Sequence, residues 1–141
     1  MRIPNSSRRK GQALVEAALS MTVFLTMLLG ILDFGQYLYF QQTLTERTRA
    51  AARIAAINPT QVTSIKNFAR YNTTTPTDAS KLVLPGLTEV MITVTTANLG
   101  TPEGRVTVRI SGFPIKFVTP FLAGSVKAPI TTVTYPSEAP W

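Results

Sequence analysis

The sequence predicts an α+β protein: a long N-terminal transmembrane helix extending into a small antiparallel-sheet domain. Three observations carry this. The run from Ala17 to Phe40 is apolar, with Asp33 as its only charge. An Ala- and Arg-rich stretch without glycine or proline prolongs it to Ile57, where Asn58-Pro59 follows. Beyond that point, apolar and polar residues alternate in short runs separated by turn formers. The chain therefore divides into residues 1–11, polar and basic; 12–57, a membrane helix and its continuation; and 58–141, an α+β domain outside the membrane.

As a helix, Ala17–Phe40 spans ~36 Å, enough to cross a hydrocarbon core of ~30 Å. Arg8, Arg9 and Lys10 closely precede it, so the positive-inside rule keeps the N-terminus cytoplasmic and puts the C-terminal region outside. Tyr37 and Tyr39 fall where an outer aromatic belt is expected. Arg47, Arg49 and Arg53 follow the span at a distance and are partly offset by Glu46. The segment 41–57 favours helix, and Asn58-Pro59 ends it. A helix over 12–57 is ~69 Å long, about twice what a bilayer needs. The small side chains of Ala51, Ala52, Ala55 and Ala56 let another surface come close.

A short amphipathic helix is expected over 61–71, with Val62, Ile65, Phe68 and Ala69 on one face. The stretch 72–80 (NTTTPTDAS) reads as loop. Val90, Ile92 and Val94 alternate with Met91, Thr93 and Thr95, and Val106, Val108 and Ile110 with Arg105, Thr107 and Arg109. Both patterns describe half-buried strands, joined by a hairpin loop at 98–104 (NLGTPEG). Two prolines forbid a long regular element in the apolar stretch 113–124 (FPIKFVTPFLAG), and 130–135 (ITTVTY) supplies a third strand. Three such strands have one face to bury, and the outer half of the long helix is available to cover it.

The chain contains no cysteine and no histidine, which excludes disulfides, Cys/His metal sites and triads that need either residue. No cofactor is implied. The net charge of +7 suggests nucleic acid only until its distribution is considered. Arg2, Arg8, Arg9 and Lys10 crowd the first eleven residues, and beyond them ten basic residues face seven acidic ones. No nucleic-acid partner is expected, because no basic patch with interleaved aromatics and no phosphate-cradling glycine loop is present. Asp78, Glu89, Glu103 and Glu138 are scattered, with no paired-acid arrangement to suggest an enzyme.

The informative segment is Arg8–Glu16, RRKGQALVE. A basic leader ends in glycine, and a glutamate follows five positions later at the start of the apolar helix. In a secretory signal the cleavage site follows the apolar region; here Gly11 precedes it. Cleavage between Gly11 and Gln12 removes the positive segment, keeps the membrane helix and creates an α-amine on Gln12. Glu16 lies one helical turn further on the same face. A carboxylate there is costly in lipid unless paired, and the freed amine of a packed neighbouring helix is a suitable partner that would set axial register. Asp33 lies ~25 Å further along the axis and projects from a different face, near the outer interface, suited either to anchoring or to recognising a partner. Gly30 and Gly35 allow close packing or bending.

This arrangement resembles that of type IV prepilins and, more closely, the TadE-like family of the Tad (tight adherence) pilus system. The matching points are GQALVE, the apolar run, Asp33-Phe34-Gly35 at its end, Gln42 and the Ala/Arg-rich continuation, together residues 11–53. The resemblance implies a type IV pilin-like fold and an inner-membrane precursor cut by an aspartic prepilin peptidase. It implies a minor-pilin or pseudopilin role in pilus biogenesis, with other pilins and an ATPase-driven assembly machinery as partners, either within the cell-surface pilus or in priming its assembly at the membrane, for adhesion, DNA uptake or secretion. It also suggests N-methylation of Gln12. The major Flp pilins of these systems are far shorter and carry tyrosine after the glutamate, where this chain has Ala17; the resemblance thus points to a minor subunit. The competing reading is an uncleaved single-pass membrane protein whose outer domain binds a ligand or an envelope partner.

Overall fold

The computed structural model describes residues 6–119 and 126–138, with side chains from Lys10 onward. Residues 1–5 of the basic leader, the side chains of Arg8 and Arg9, and residues 120–125 of the proline-punctuated stretch lie outside the described part.

Helix α1 runs unbroken over Ser6–Ile57. It begins earlier than the expected start near Gln12, because nothing between Ser6 and Lys10 breaks a helix and Arg and Lys favour one. It ends where expected. The Asn58 N–H still donates to the Ile54 carbonyl at 3.0 Å, but Pro59 has no N–H to continue the ladder. Helix α2 follows over Val62–Tyr71 and buries Ile65 and Ala69. Asn72 caps it in the left-handed region (φ 61), and its side-chain oxygen accepts a 2.6 Å hydrogen bond from Arg47 Nη1 of α1.

The sheet consists of β1 (Ile92–Ala97), β2 (Arg105–Ile110) and β5 (Thr131–Pro136) in the order β1-β2-β5, all antiparallel. Between β2 and β5, the two-residue strands β3 (Pro114–Ile115) and β4 (Val126–Lys127) form a separate small ribbon. Register places Val94, Val108 and Val133 in one cross-strand row, while Thr95, Thr107 and Thr134 form a row on the opposite face. On that outer face the Thr107 and Thr134 hydroxyls lie 2.9 Å apart in a hydrogen bond. The β1–β2 loop requires Gly104, since a Cβ there would stand 3.1 Å from the Asn98 and Thr101 carbonyl oxygens.

The alternation expected from Val90 onward holds only from Ile92. Residues Glu89–Met91 form a 3₁₀ turn, η1, and Val90 is 91% exposed. One turn with a threefold repeat moves its side chain off the face that Ile92 and Val94 occupy.

The sheet lies on the outer half of α1. Leu44, Thr48, Ala51, Ala52 and Ala55 form a buried stripe at helical spacing. The apolar members pack with Val106, Val108, Ile110, Phe113, Leu84 and Leu87 in a single core. Four alanines in that stripe region bring the sheet close to the helix backbone. At the far end, the Glu138 N–H donates to the Ala56 carbonyl at 2.9 Å, tying the end of β5 to the last turn of α1.

Candidate functional site

The functional candidate is the part of α1 that the domain leaves uncovered. From Lys10 to Leu32 the side chains are exposed, apart from half-buried Leu29. None of the most apolar window of this helix is buried. The stretch is roughly 33 Å long, and it is long and apolar enough to cross a membrane. A soluble protein would not leave Met21, Phe24, Met27 and Ile31 each at least 60% exposed on one helix.

Two hydroxyls within this stretch satisfy themselves. Thr22 Oγ1 donates to the Ala18 carbonyl and Thr26 Oγ1 to the Thr22 carbonyl, both at 2.8 Å. Such back-bonding lets a hydroxyl sit in lipid without an external partner.

The two acids of the apolar helix have opposite situations. Asp33 is 2% exposed. Its carboxylate oxygens accept backbone N–H bonds from Val118 at 2.7 Å and Thr119 at 3.1 Å. Asp33 lies on the same helix face as Tyr37, Phe40 and Leu44, and Phe113 packs its ring 5.6 Å from that of Phe40. The chain leaving β3 thus runs down α1 from Phe40 to Asp33 and is clasped there. This covers Asp33 within the chain and moves the outer limit of any lipid-exposed stretch from Phe40 back to Leu32. Tyr37 and Phe40 are half-buried under the domain, whereas Phe34 and Tyr39 face outward, 62% and 61% exposed. A side chain on Gly35 would meet nothing.

Glu16 is exposed and has no hydrogen-bond or ion-pair partner among the described residues. It is the only charge between Gln12 and Leu32. Gln12 lies one turn before it, exposed, on the same face. The Gly11–Gln12 peptide is helical, and no atom lies within 4 Å of where a Gly11 Cβ would stand. The structure therefore brings Gly11, Gln12 and Glu16 together at the start of the free helix and places Asp33, Phe34 and Gly35 at its other end. Among the described residues no three acids gather into a potential cation site. A shallow groove along the exposed face of α1 beyond Asp33 is lined by Leu38, Gln41, Gln42, Thr45, Glu46 and Arg49.

This architecture, an uncovered apolar helix carrying a small antiparallel-sheet head, defines a protein anchored by its N-terminal helix. Residues 11–53 match the family model described as TadE-like protein. The N-terminal helix is thus similar to that of TadE-like proteins, over residues 11–53 of the 141. The match lies within α1 and includes none of α2 or the sheet. No curated protein and no solved structure shows significant similarity to the chain.

Proposed function

We propose that the protein is a minor pilin or pseudopilin subunit of Tad pilus biogenesis, processed after Gly11 and assembled through α1. The observation that carries this is Glu16: a lone carboxylate on an otherwise apolar, uncovered helix, with no partner among the described residues. A charge in that position is costly in lipid unless it is paired. After cleavage, the α-amine of Gln12 on a neighbouring subunit supplies the partner. The pair fixes how far one helix slides along the next, so register is specified at the level of a single ion pair.

The precursor sits in the inner membrane with its basic leader in the cytoplasm and its head outside. A prepilin peptidase at the cytoplasmic face removes residues 1–11. The Gly11–Gln12 bond must leave the helix to enter a protease cleft, and glycine lowers that barrier because it costs about 1 kcal/mol in a helix relative to alanine. Other pilins then pack on the exposed side chains of residues 14–32, replacing lipid.

The test is Glu16→Leu in the native host, with Glu16→Asp as the conservative comparison. Glu16→Leu is expected to insert in the membrane and to be processed, yet to be lost from assembled pilus material, with Glu16→Asp partly retained. Normal incorporation of Glu16→Leu would refute an assembly role and favour an uncleaved or passively anchored binding protein.

A further inference from the structure

The domain end nearest the free helix exposes both apolar side chains and lysines. β2 runs from Arg105, beside the Gly104–Ser137 contact near Ala56, to Ile110, three residues before the Phe113 ring that packs on Phe40. The Ile92–Ile110–Thr131 end of the sheet is therefore turned toward Asp33. At this end Val90, Val118 and Ile130 are 91%, 53% and 58% exposed. Lys116 and Lys127 are exposed in the same ribbon region.

The clasp determines where this rim lies. A helix over Gln12–Leu32 is ~30 Å long, the thickness of the hydrocarbon core, so Asp33 is the first residue beyond it. Val118 is held 2.7 Å from Asp33 and cannot be further from the bilayer than Asp33 allows. Lifting the loop clear into water would draw Met27, Leu28, Ile31 and Leu32 out of lipid, all exposed on the chain itself. Sinking it would bring non-helical backbone into hydrocarbon, where it cannot be satisfied. Only the headgroup layer suits a rim that exposes Val118 and Ile130 together with Lys116 and Lys127.

We infer that this rim, Val118 and Ile130 with Lys116 and Lys127, docks on the anionic headgroup surface of the membrane that α1 crosses. It holds the head down on the outer leaflet until assembly extracts the subunit. The inference rests on α1 being a membrane helix, and the experiment separates the two.

The chain has no cysteine, so single labels are unambiguous. Full-length Val118→Cys, Ile130→Cys, Leu25→Cys and Glu103→Cys variants would each carry a fluorophore in phosphatidylcholine–phosphatidylglycerol vesicles, quenched by lipids brominated at shallow or deep positions. Glu103 precedes Gly104 at the far end of the sheet, roughly 35 Å along α1 from Asp33. The expected result is strong deep quenching at Leu25, predominantly shallow quenching at Val118 and Ile130, and none at Glu103. Deep quenching at Leu25 with Val118 and Ile130 as unquenched as Glu103 would overturn the docking while leaving the membrane helix intact. An unquenched Leu25 would overturn both.

Discussion

Asp33 and Glu16 are the same kind of group on the same helix, and they differ in where their partners come from. Asp33 is answered inside the chain by two consecutive backbone amides. Glu16 is not answered at all among the described residues. The account predicts that Asp33→Ala frees the Val118 and Thr119 amides, measured as faster hydrogen exchange at those two positions in detergent, while amides of β2 keep their protection. Unchanged exchange at 118 and 119 would mean that the clasp contributes nothing to holding the loop. The place of Glu16 at the start of the free helix was legible in the sequence because it follows from local pattern: a glycine, four residues, a carboxylate, an apolar run. The partners of Asp33 were not legible, because they lie 85 and 86 positions away and are backbone groups, which leave no mark in residue identity. The sequence placed Asp33 near an interface but could not say that its own chain covers it.

At the scale of elements, α1 is two helices in function. Its first half offers apolar side chains to lipid or to other helices; its second half offers alanines to a sheet. The alanine face predicts intolerance of bulk. Ala52→Leu should destabilise the head by about 1–3 kcal/mol through overpacking, seen as a lowered midpoint of thermal unfolding in detergent. Ile110, 1% exposed, predicts the opposite failure: Ile110→Ala should cost about 2–5 kcal/mol by leaving a cavity. By contrast Val90→Thr should change stability by no more than about 0.5 kcal/mol, because its side chain is outside the core; a loss comparable to that of Ile110→Ala would contradict the 3₁₀ turn. The strands β1, β2 and β5 were legible from period-two alternation, and the helix stop from Asn58-Pro59. Val90 was misleading because the same alternation continues one residue pair past the strand. Where the pattern is apolar throughout, as around 113–118, periodicity is silent. The short β3–β4 pairing there depends on long-range contacts.

At the scale of the whole molecule, the head and the helix are joined along one continuous stripe from Asp33 to Ala56. The head therefore travels with α1 as a unit, and a change in the axial position of α1 moves the head by the same distance. In the proposed assembly a pairing at Glu16, at one end of a ~69 Å helix, would therefore position heads at the other end. The α+β class and the order helix, small helix, sheet were readable from the sequence because each rests on periodicity or on strong stop signals. The limit of the free helix was not, since hydropathy runs on to Phe40 while the domain already covers the face from Asp33.

The most direct measurement is the intact mass and N-terminal residue of the protein from its native host, beside a Gly11→Ala variant. The account predicts a chain that begins at Gln12 and a variant that keeps all eleven preceding residues. Chains beginning at Met1 in both, from cells whose prepilin peptidase demonstrably cuts another substrate, would contradict it: no amine would then exist on Gln12 to pair with Glu16.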